Sequence, residues 1–279
     1  MGYQKNKKGI TLPKEKNIEG VKGKIASIIR CGFLPILVND KFDPLFLAEI
    51  MWELGLPAIE YALRRKDAGE KIPEIKKRFP KMIVLAASTI DDERVVKFLR
   101  KREGIFPSIA ELYEMGVDGL VSMLPFKEKT YQKYSGKMIF IPGVAVVKEA
   151  LEELKKGAHL IKFFDTEVYG GVKRIKVLQG PTYGIIPTLV AGGIRPEKVF
   201  EYVESNVLVV SAGFDLILHK NYQAVQEKPD RVFITQCLKD YLIAVKEARI
   251  KLGIEYLSET EDPHRLLDMT GRLFPWSSA

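Results

Sequence analysis

The sequence is poor in residues that cross-link a chain or bind metal ions. Of its 279 residues only two are cysteine and three are histidine. Cys31 and Cys237 lie far apart, which excludes a disulfide framework and a cysteine-rich metal site. His159, His219 and His264 lack the mutual spacing of a metal-binding motif. We therefore expect no metal site.

Long apolar runs are also lacking. No stretch approaches the ~18 to 20 apolar residues that cross a bilayer, and residues 1–24 have no apolar segment of the signal-peptide kind. P-loop, GxSxG, HExxH and EF-hand patterns are absent too, which argues against those enzyme and calcium-binding classes. The sequence therefore predicts a cytoplasmic protein with no membrane partner.

The net charge of +8 is concentrated at the start of the chain. Residues 1–24 hold seven lysines against two glutamates, so this segment alone supplies +5 of the +8. A basic segment without interleaved aromatic residues is typical of a solvated arm rather than a nucleic-acid-binding element. We interpret residues 1–24 as a basic N-terminal tail and expect no nucleic-acid partner.

From residue 33 onward, short aliphatic runs alternate with amphipathic segments. The runs begin 19 to 37 residues apart, which leaves room for a loop and one helix in each repeat. Eight strands are predicted in this way, at 33–38, 57–62, 82–87, 119–123, 138–143, 159–164, 185–191 and 207–212. Helices are predicted at 43–54, 70–79, 91–102, 146–156, 171–178, 196–204 and 232–252.

Eight such units with apolar strands predict an α/β fold of the (β/α)8 TIM-barrel type. An open doubly wound sheet is the alternative, but the turn after the first strand reads NDKFDP where that fold favours GxGxxG. The long gap after the third strand predicts an insertion or a split helix. The barrel is assigned to residues 25–257, with an N-terminal helix or tail before it and a helical C-terminal extension, 258–279, after it.

Two predicted strands carry charged residues on the inward face. The period of two places Glu60 and Arg64 on one face of the second strand, and Lys162 lies among apolar residues of the sixth. Strands two and six face each other across a ring of eight, and both are even-numbered, so their inward side chains can share a layer. We expect Lys162, Glu60 and Arg64 to converge in one partly desolvated pocket.

These residue types suit carbonyl chemistry. Burial and the neighbouring guanidinium favour a neutral, nucleophilic Lys162 amine, Glu60 could move protons, and Arg64 could pair with a substrate carboxylate. The alternative is a structural Lys–Glu ion pair with Arg64 at the rim. The residues alone leave both interpretations open.

Six motifs add a family resemblance over roughly residues 20–250. In order they read LPILVND, GLPAIEYALRR, AASTI, IPGVA, IKFF followed by YGGVKRIKVLQGP, and AGGIRPEKVFEYVESNVLVVSAG. The chain resembles the 2-keto-3-deoxy-6-phosphogluconate (KDPG) and 2-keto-4-hydroxyglutarate (KHG) aldolase family. The resemblance implies a homotrimeric (β/α)8 Schiff-base aldolase that needs no metal or other cofactor and acts on a small keto acid.

The resemblance also implies roles for individual residues. Lys162 matches the Schiff-base lysine and Glu60 the proton-transfer residue, while Arg64 and Thr89 match residues that bind the pyruvyl carboxylate. Gly192, Gly193 and Gly213 match the distal, phosphate-binding end. The implied reaction splits a 2-keto-4-hydroxy acid, with KDPG as the first candidate, into pyruvate and an aldehyde, here glyceraldehyde 3-phosphate.

The motifs depart from the family at that distal end. Ala191 and Gly213 replace hydroxyl-bearing residues, and Asp165 stands where the family has proline after IKFF. An added carboxylate would tend to repel an anionic tail. Two alternatives therefore stay open: an aldolase for a non-phosphorylated acid such as KHG, and a non-catalytic barrel that serves as a binding or assembly module.

Overall fold

The chain was analysed as a computed structural model that describes residues 20–38 and 41–270. Of the predicted basic tail, residues 1–19 lie outside the described residues, and residues 20–24 belong to the first helix. The last residues of the predicted C-terminal extension, 271–279, also lie outside them.

Eight parallel strands close into one barrel in chain order, so the predicted TIM-barrel fold is confirmed. Each strand pairs with its two sequence neighbours, and β1 pairs with β8 to close the ring. The strands are β1 (Phe33–Leu37), β2 (Ala58–Ala62), β3 (Ile83–Ala87), β4 (Gly119–Ser122), β5 (Ile139–Val144), β6 (Ile161–Phe163), β7 (Thr188–Ala191) and β8 (Val207–Gly213).

One helix, α1, precedes the first strand, and at least one helix follows each strand. The helices are α1 (Gly20–Cys31), α2 (Pro44–Glu53), α3 (Ala68–Arg78), α4 (Glu93–Glu103), α5 (Ile109–Glu114), α6 (Glu128–Tyr134), α7 (Val147–Lys156), α8 (Gly171–Gln179), α9 (Val199–Glu204), α10 (Phe214–Leu218), α11 (Tyr222–Glu227), α12 (Arg231–Lys251), α13 (Tyr256–Glu259) and α14 (Pro263–Thr270). Two 3-10 turns, Pro196–Lys198 and His219–Asn221, precede α9 and α11. No helix in the described ranges is long and apolar enough to cross a bilayer.

The long gap after β3 contains a split helix, which is one of the two outcomes expected for it. Asp92 caps the start of α4 by accepting hydrogen bonds from two backbone amides, and Gly104 ends α4 in a positive-φ conformation. Ser108 and Glu111 then form a capping box that starts α5. The chain therefore adds one helix to this unit without adding a strand.

Side chains alternate between the barrel interior and the layer under the helices. In β2, Ala58 and Ala62 belong to the interior apolar cluster, whereas Ile59 and Tyr61 belong to the outer one. Glu60, between the two interior alanines, is therefore directed inward. The same alternation in β6 directs Lys162 inward, because Ile161 and Phe163 belong to the outer cluster.

Helix α1 covers the amino-terminal end of the barrel. Its residues Ile25, Ile28 and Ile29 share one buried cluster with inward-facing strand residues. Leu257 of α13 and Leu266 of α14 join the same cluster, so the C-terminal segment packs beneath α1. Because this end is filled by apolar side chains, the carboxyl ends of the strands remain as the open face of the barrel.

A buried carboxylate fastens α1 and α3 to the barrel. Asp118, just before β4, accepts hydrogen bonds from Lys24 Nζ at 2.6 Å, Lys76 Nζ at 2.7 Å and the Val84 amide at 2.8 Å. Both lysines are largely covered, and the Asp118 carboxylate balances the charge of each. The cluster joins two helices to β3 and β4 at the amino-terminal end.

We expect Asp118→Asn to lower the free energy of unfolding by about 1.5 to 3 kcal/mol, because two charge-assisted hydrogen bonds lose their acceptor charge. The midpoint and slope of urea unfolding would measure the loss. Glu204→Gln is the matched control, since its bridge to Lys176 at 2.8 Å is solvent-exposed and is expected to contribute less than about 1 kcal/mol. Equal losses in the two variants would contradict the role given to Asp118.

Candidate active site

The charged pair predicted inside the barrel is present. Lys162 of β6 donates hydrogen bonds from Nζ to Glu60 Oε1 at 2.6 Å and Oε2 at 2.9 Å. The side chains are only 6% and 3% exposed, so the ion pair is shielded from bulk water. Lys162 Nζ also lies 5.9 Å from the centre of the Phe164 ring. The Lys162 amine therefore has a hydrogen-bonded proton acceptor, Glu60, and an aromatic ring, Phe164, close to it.

This pair lies at the floor of a cleft of about 660 Å³ at the carboxyl ends of the strands. Such a volume suits a small organic ligand. Arg64, in the loop after β2, is exposed and lines the same cleft as Glu60 and Lys162. The three residues expected to converge are thus brought into one cleft, with the guanidinium at its wall.

Thr89, unlike Arg64, does not line the cleft, although both are predicted to bind the substrate carboxylate. Its hydroxyl donates to the Val121 carbonyl at 3.0 Å, and its side chain is buried. Among the described residues that line the cleft, its neighbour Ser88 is present and Thr89 is not. Ser88 has a φ of 60°, a left-handed conformation that is uncommon outside glycine. The periodicity of β3 gave no signal for Ser88, because this turn breaks the strand alternation.

The three glycines predicted for the distal end, Gly192, Gly193 and Gly213, all line the cleft. Two carboxylates accompany them: Asp165 after β6 and Asp215 in the first turn of α10. Asp215 was not among the predicted site residues. Its position directly after the last strand is the signal that could have found it, since side chains at such positions reach the open end of a barrel.

The pKa values of Asp165 and Glu167 are shifted in opposite directions. Burial, and then the neighbouring Glu167, raise the pKa of Asp165, whose Oδ1 is buried without a hydrogen-bond partner. Burial opposes ionisation of Glu167 too, but hydrogen bonds from Lys198 and Tyr202 lower its pKa below the usual value. Lys198 Nζ lies 2.8 Å from Glu167 Oε2. The nearby ammonium is thus engaged by Glu167.

Comparison with known proteins decides the family. A family model described as KDPG and KHG aldolase matches residues 25–235, which is well over half of the chain. The chain belongs to the KDPG and KHG aldolase family. It is therefore an aldolase, a carbon–carbon lyase of the class that works through a Schiff base without a metal.

Individual relatives of this aldolase are distant. The KHG/KDPG aldolase of Escherichia coli K12 is 25% identical over 193 residues, which cover 68% of this chain and 84% of the relative. The 2-dehydro-3-deoxy-phosphogluconate aldolase of Pseudoalteromonas atlantica is 27% identical over 171 residues, which cover 61% and 73%.

Solved structures agree with the barrel of this aldolase. The KDPG aldolase of Zymomonas mobilis ATCC 29191 superposes with a TM-score of 0.60 at 25% identity, covering 78% of this chain and 95% of the other. A KDPG aldolase from Legionella pneumophila, with pyruvate captured as a covalent carbinolamine intermediate, also has a TM-score of 0.60, at 22% identity. It covers 81% of this chain and 97% of the other.

We expect Lys162→Met to lower the free energy of unfolding by about 3 to 5 kcal/mol, because it leaves the Glu60 carboxylate buried without its cation. Adding Glu60→Leu should recover most of that loss, since the second change removes the uncompensated charge. Urea unfolding of the wild type, the two single variants and the double variant forms a complete cycle. Additive losses, with no recovery in the double variant, would contradict the close pairing of these two side chains.

Proposed function

We propose that this aldolase cleaves a 2-keto-4-hydroxy acid to pyruvate and an aldehyde, with Lys162 as the amine that forms the Schiff base. The observation that carries the proposal is the buried contact of Lys162 Nζ with Glu60 at 2.6 Å on the floor of the open cleft. The family membership supplies the reaction class. The covalent carbinolamine of pyruvate in the Legionella relative is the chemistry that this geometry would support.

The proposed reaction begins with proton transfer from the Lys162 ammonium, for which Glu60 is the hydrogen-bonded acceptor. The free amine adds to the C2 carbonyl to give a carbinolamine. Glu60 returns the proton to the departing hydroxyl, water leaves and an iminium ion forms. The C2 hydroxyl thus departs with the proton that the carboxylate had held.

Carbon–carbon cleavage follows from the iminium ion. A base takes the C4 hydroxyl proton, the C3–C4 bond breaks and its electron pair moves into the iminium to give an enamine. The aldehyde leaves, C3 of the enamine takes up a proton, and water hydrolyses the new iminium to release pyruvate and free Lys162. Glu60 lies close enough to Lys162 to serve as the proton carrier in these steps.

Arg64 and Thr89 both match residues that bind the substrate carboxylate in the family, and we propose different roles for them here. The exposed Arg64 guanidinium lines the cleft and can pair with the carboxylate in a bidentate geometry. The Thr89 hydroxyl has a single proton, which the Val121 carbonyl accepts. It can donate to a substrate only by giving up that bond. In the observed arrangement Thr89 holds the turn that presents Ser88 to the cleft.

Two candidate substrates differ in the distal part of the molecule, which is either phosphorylated or not. KDPG is the first candidate from the resemblance, and the names of the Escherichia coli and Pseudoalteromonas relatives support an acid of this type. A non-phosphorylated acid is the second candidate, and a specific observation favours it. Asp165 and Asp215 line the cleft at the end where the phosphate of KDPG would lie.

A cytoplasmic location, which the sequence predicts, and a homotrimer, which the family resemblance implies, are also part of this proposal. We expect a particle of three times the monomer mass in solution. Size-exclusion chromatography with light scattering at two protein concentrations would measure it, and a monomer at both would contradict the expectation.

We expect one reduced pyruvyl adduct per chain when the protein is incubated with pyruvate and sodium borohydride, because hydride traps the iminium at Lys162. Intact-protein mass spectrometry would detect it. Lys162→Arg should give no adduct, and it is a well-matched control because it keeps a cation beside Glu60. Unmodified wild-type protein that remains folded by circular dichroism would instead support the binding-module alternative.

We expect Glu60→Gln to lower kcat by about 10²- to 10⁴-fold, the usual range for loss of a general acid–base group. The amide keeps the shape of the carboxylate but cannot carry the proton. Steady-state kinetics with the substrate that the wild type cleaves best would measure the change. A kcat within threefold of the wild type would exclude Glu60 as the proton carrier.

A further inference from the structure

The cleft of this aldolase is lined by charged residues of both signs. Lys162, whose charge is balanced by Glu60, and the exposed Arg64 line the part that would hold the pyruvyl group of a substrate. Asp165 and Asp215 line the cleft from the loops that follow β6 and β8, beside Gly192 and Gly213. A substrate whose carboxylate pairs with Arg64 and whose tail reaches these glycines therefore places its tail against two carboxylates.

These carboxylates lie against the glycines that the sequence assigned to phosphate. A Cβ atom added to Gly192 would lie 1.9 Å from Asp165 Oδ1, and one added to Gly213 would lie 2.5 Å from Asp215 Oδ1. At Gly193 the nearest atom would be Glu167 Cγ, at 2.5 Å. Acidic side chains of the same chain thus lie beside all three glycines, so an oxyanion at these glycines would lie next to carboxylates.

The ammonium of Lys198 is already engaged by a carboxylate. Lys198 donates to Glu167, as does the Tyr202 hydroxyl, so that ammonium neutralises Glu167. Asp165 Oδ1 is buried and has no hydrogen-bond partner. An anionic tail would meet the carboxylates that line the cleft, whereas a hydroxyl group could donate to their accessible oxygens.

We propose, on the basis of the Schiff-base aldolase function above, that this distal end selects an uncharged, hydroxyl-bearing aldehyde and rejects phosphorylated ones. Asp165 and Asp215 do both tasks: they accept hydrogen bonds from the hydroxyl groups of the tail, and they repel an anion in the same position. Discrimination by an unfavourable charge is a common route to specificity. The preferred substrate is then a 2-keto-4-hydroxy acid with a neutral polyhydroxylated tail.

The aldol-addition direction tests this directly, because pyruvate stays constant while the aldehyde changes. The enamine carbon C3 attacks the aldehyde carbon, a C–C bond forms, the aldehyde oxygen takes up a proton to become the C4 hydroxyl, and hydrolysis of the iminium releases the product. We would compare kcat/KM for D-glyceraldehyde and D-glyceraldehyde 3-phosphate at fixed pyruvate. We expect at least a tenfold preference for the unphosphorylated aldehyde, since like charges in a cleft are strongly unfavourable.

Charge-neutral variants separate recognition from structural support. Asp165→Asn and Asp215→Asn, singly and together, should each shift the preference by about tenfold towards the phosphorylated aldehyde, because they remove a repulsive charge and keep the shape. Asp240→Asn, on the exposed face of α12, is the control and should leave the preference unchanged. A wild-type preference for the phosphorylated aldehyde would overturn the inference. Equal losses towards both aldehydes in the Asp165 and Asp215 variants would also overturn it.

Exchange of the pyruvate methyl protons with D₂O distinguishes failure of this inference from failure of the proposed function. Enamine formation exchanges those protons without any aldehyde, and NMR follows the exchange. Exchange on the wild type together with a preference for the phosphorylated aldehyde would overturn the distal-end inference alone. A wild type without exchange would overturn the proposed function, and this inference with it.

Discussion

The ion pair between Lys162 and Glu60 is the interaction around which the carboxyl end of this barrel is organised. Both side chains are buried, so each charge depends on the other for compensation. They can meet only because eight strands close and set β2 across from β6. Helix α1 fills the opposite end with apolar side chains, so the cleft at the carboxyl ends of the strands is the route by which a ligand reaches the pair. Closure of the sheet and the apolar packing at the amino-terminal end thus together place the ion pair at the base of the cleft.

Much of the fold follows from local pattern. The eight strands lie within a few residues of the predicted ones, because apolar runs of a fully buried parallel sheet stand out between amphipathic segments. The pattern assigns no separate helix to α5, α6, α10 or α11. Helix α5 is short and depends on the Ser108–Glu111 capping box, and α6 begins at Glu128, where the preceding Lys127 provides no side-chain cap. Short helices of this kind are stabilised by packing on the barrel, which periodicity does not measure.

Strand alternation predicts the buried pair of the site, whereas residues in the loops need another signal. Glu60 and Lys162 stand inside regular strands, so the period of two directs both inward. Ser88 and Asp215 stand in loops beyond strand ends, where backbone dihedral angles rather than periodicity decide which side chain reaches the cleft. Thr89 shows the same limit, since its hydroxyl is turned to the Val121 carbonyl by a bend that the strand pattern does not encode. The acidic distal end is likewise a property of three loops brought together by closure of the barrel.

The central claim is that one lysine, buried against a carboxylate, forms the covalent bond to pyruvate. The most direct test is to incubate the protein with ¹³C-labelled pyruvate and borohydride and then to map the labelled peptides. The many other lysines of the chain serve as internal competitors for the label. The account predicts the label on the peptide containing Lys162 at close to one per chain, with surface lysines unlabelled. Label spread over surface lysines, with Lys162 unmodified, would contradict it.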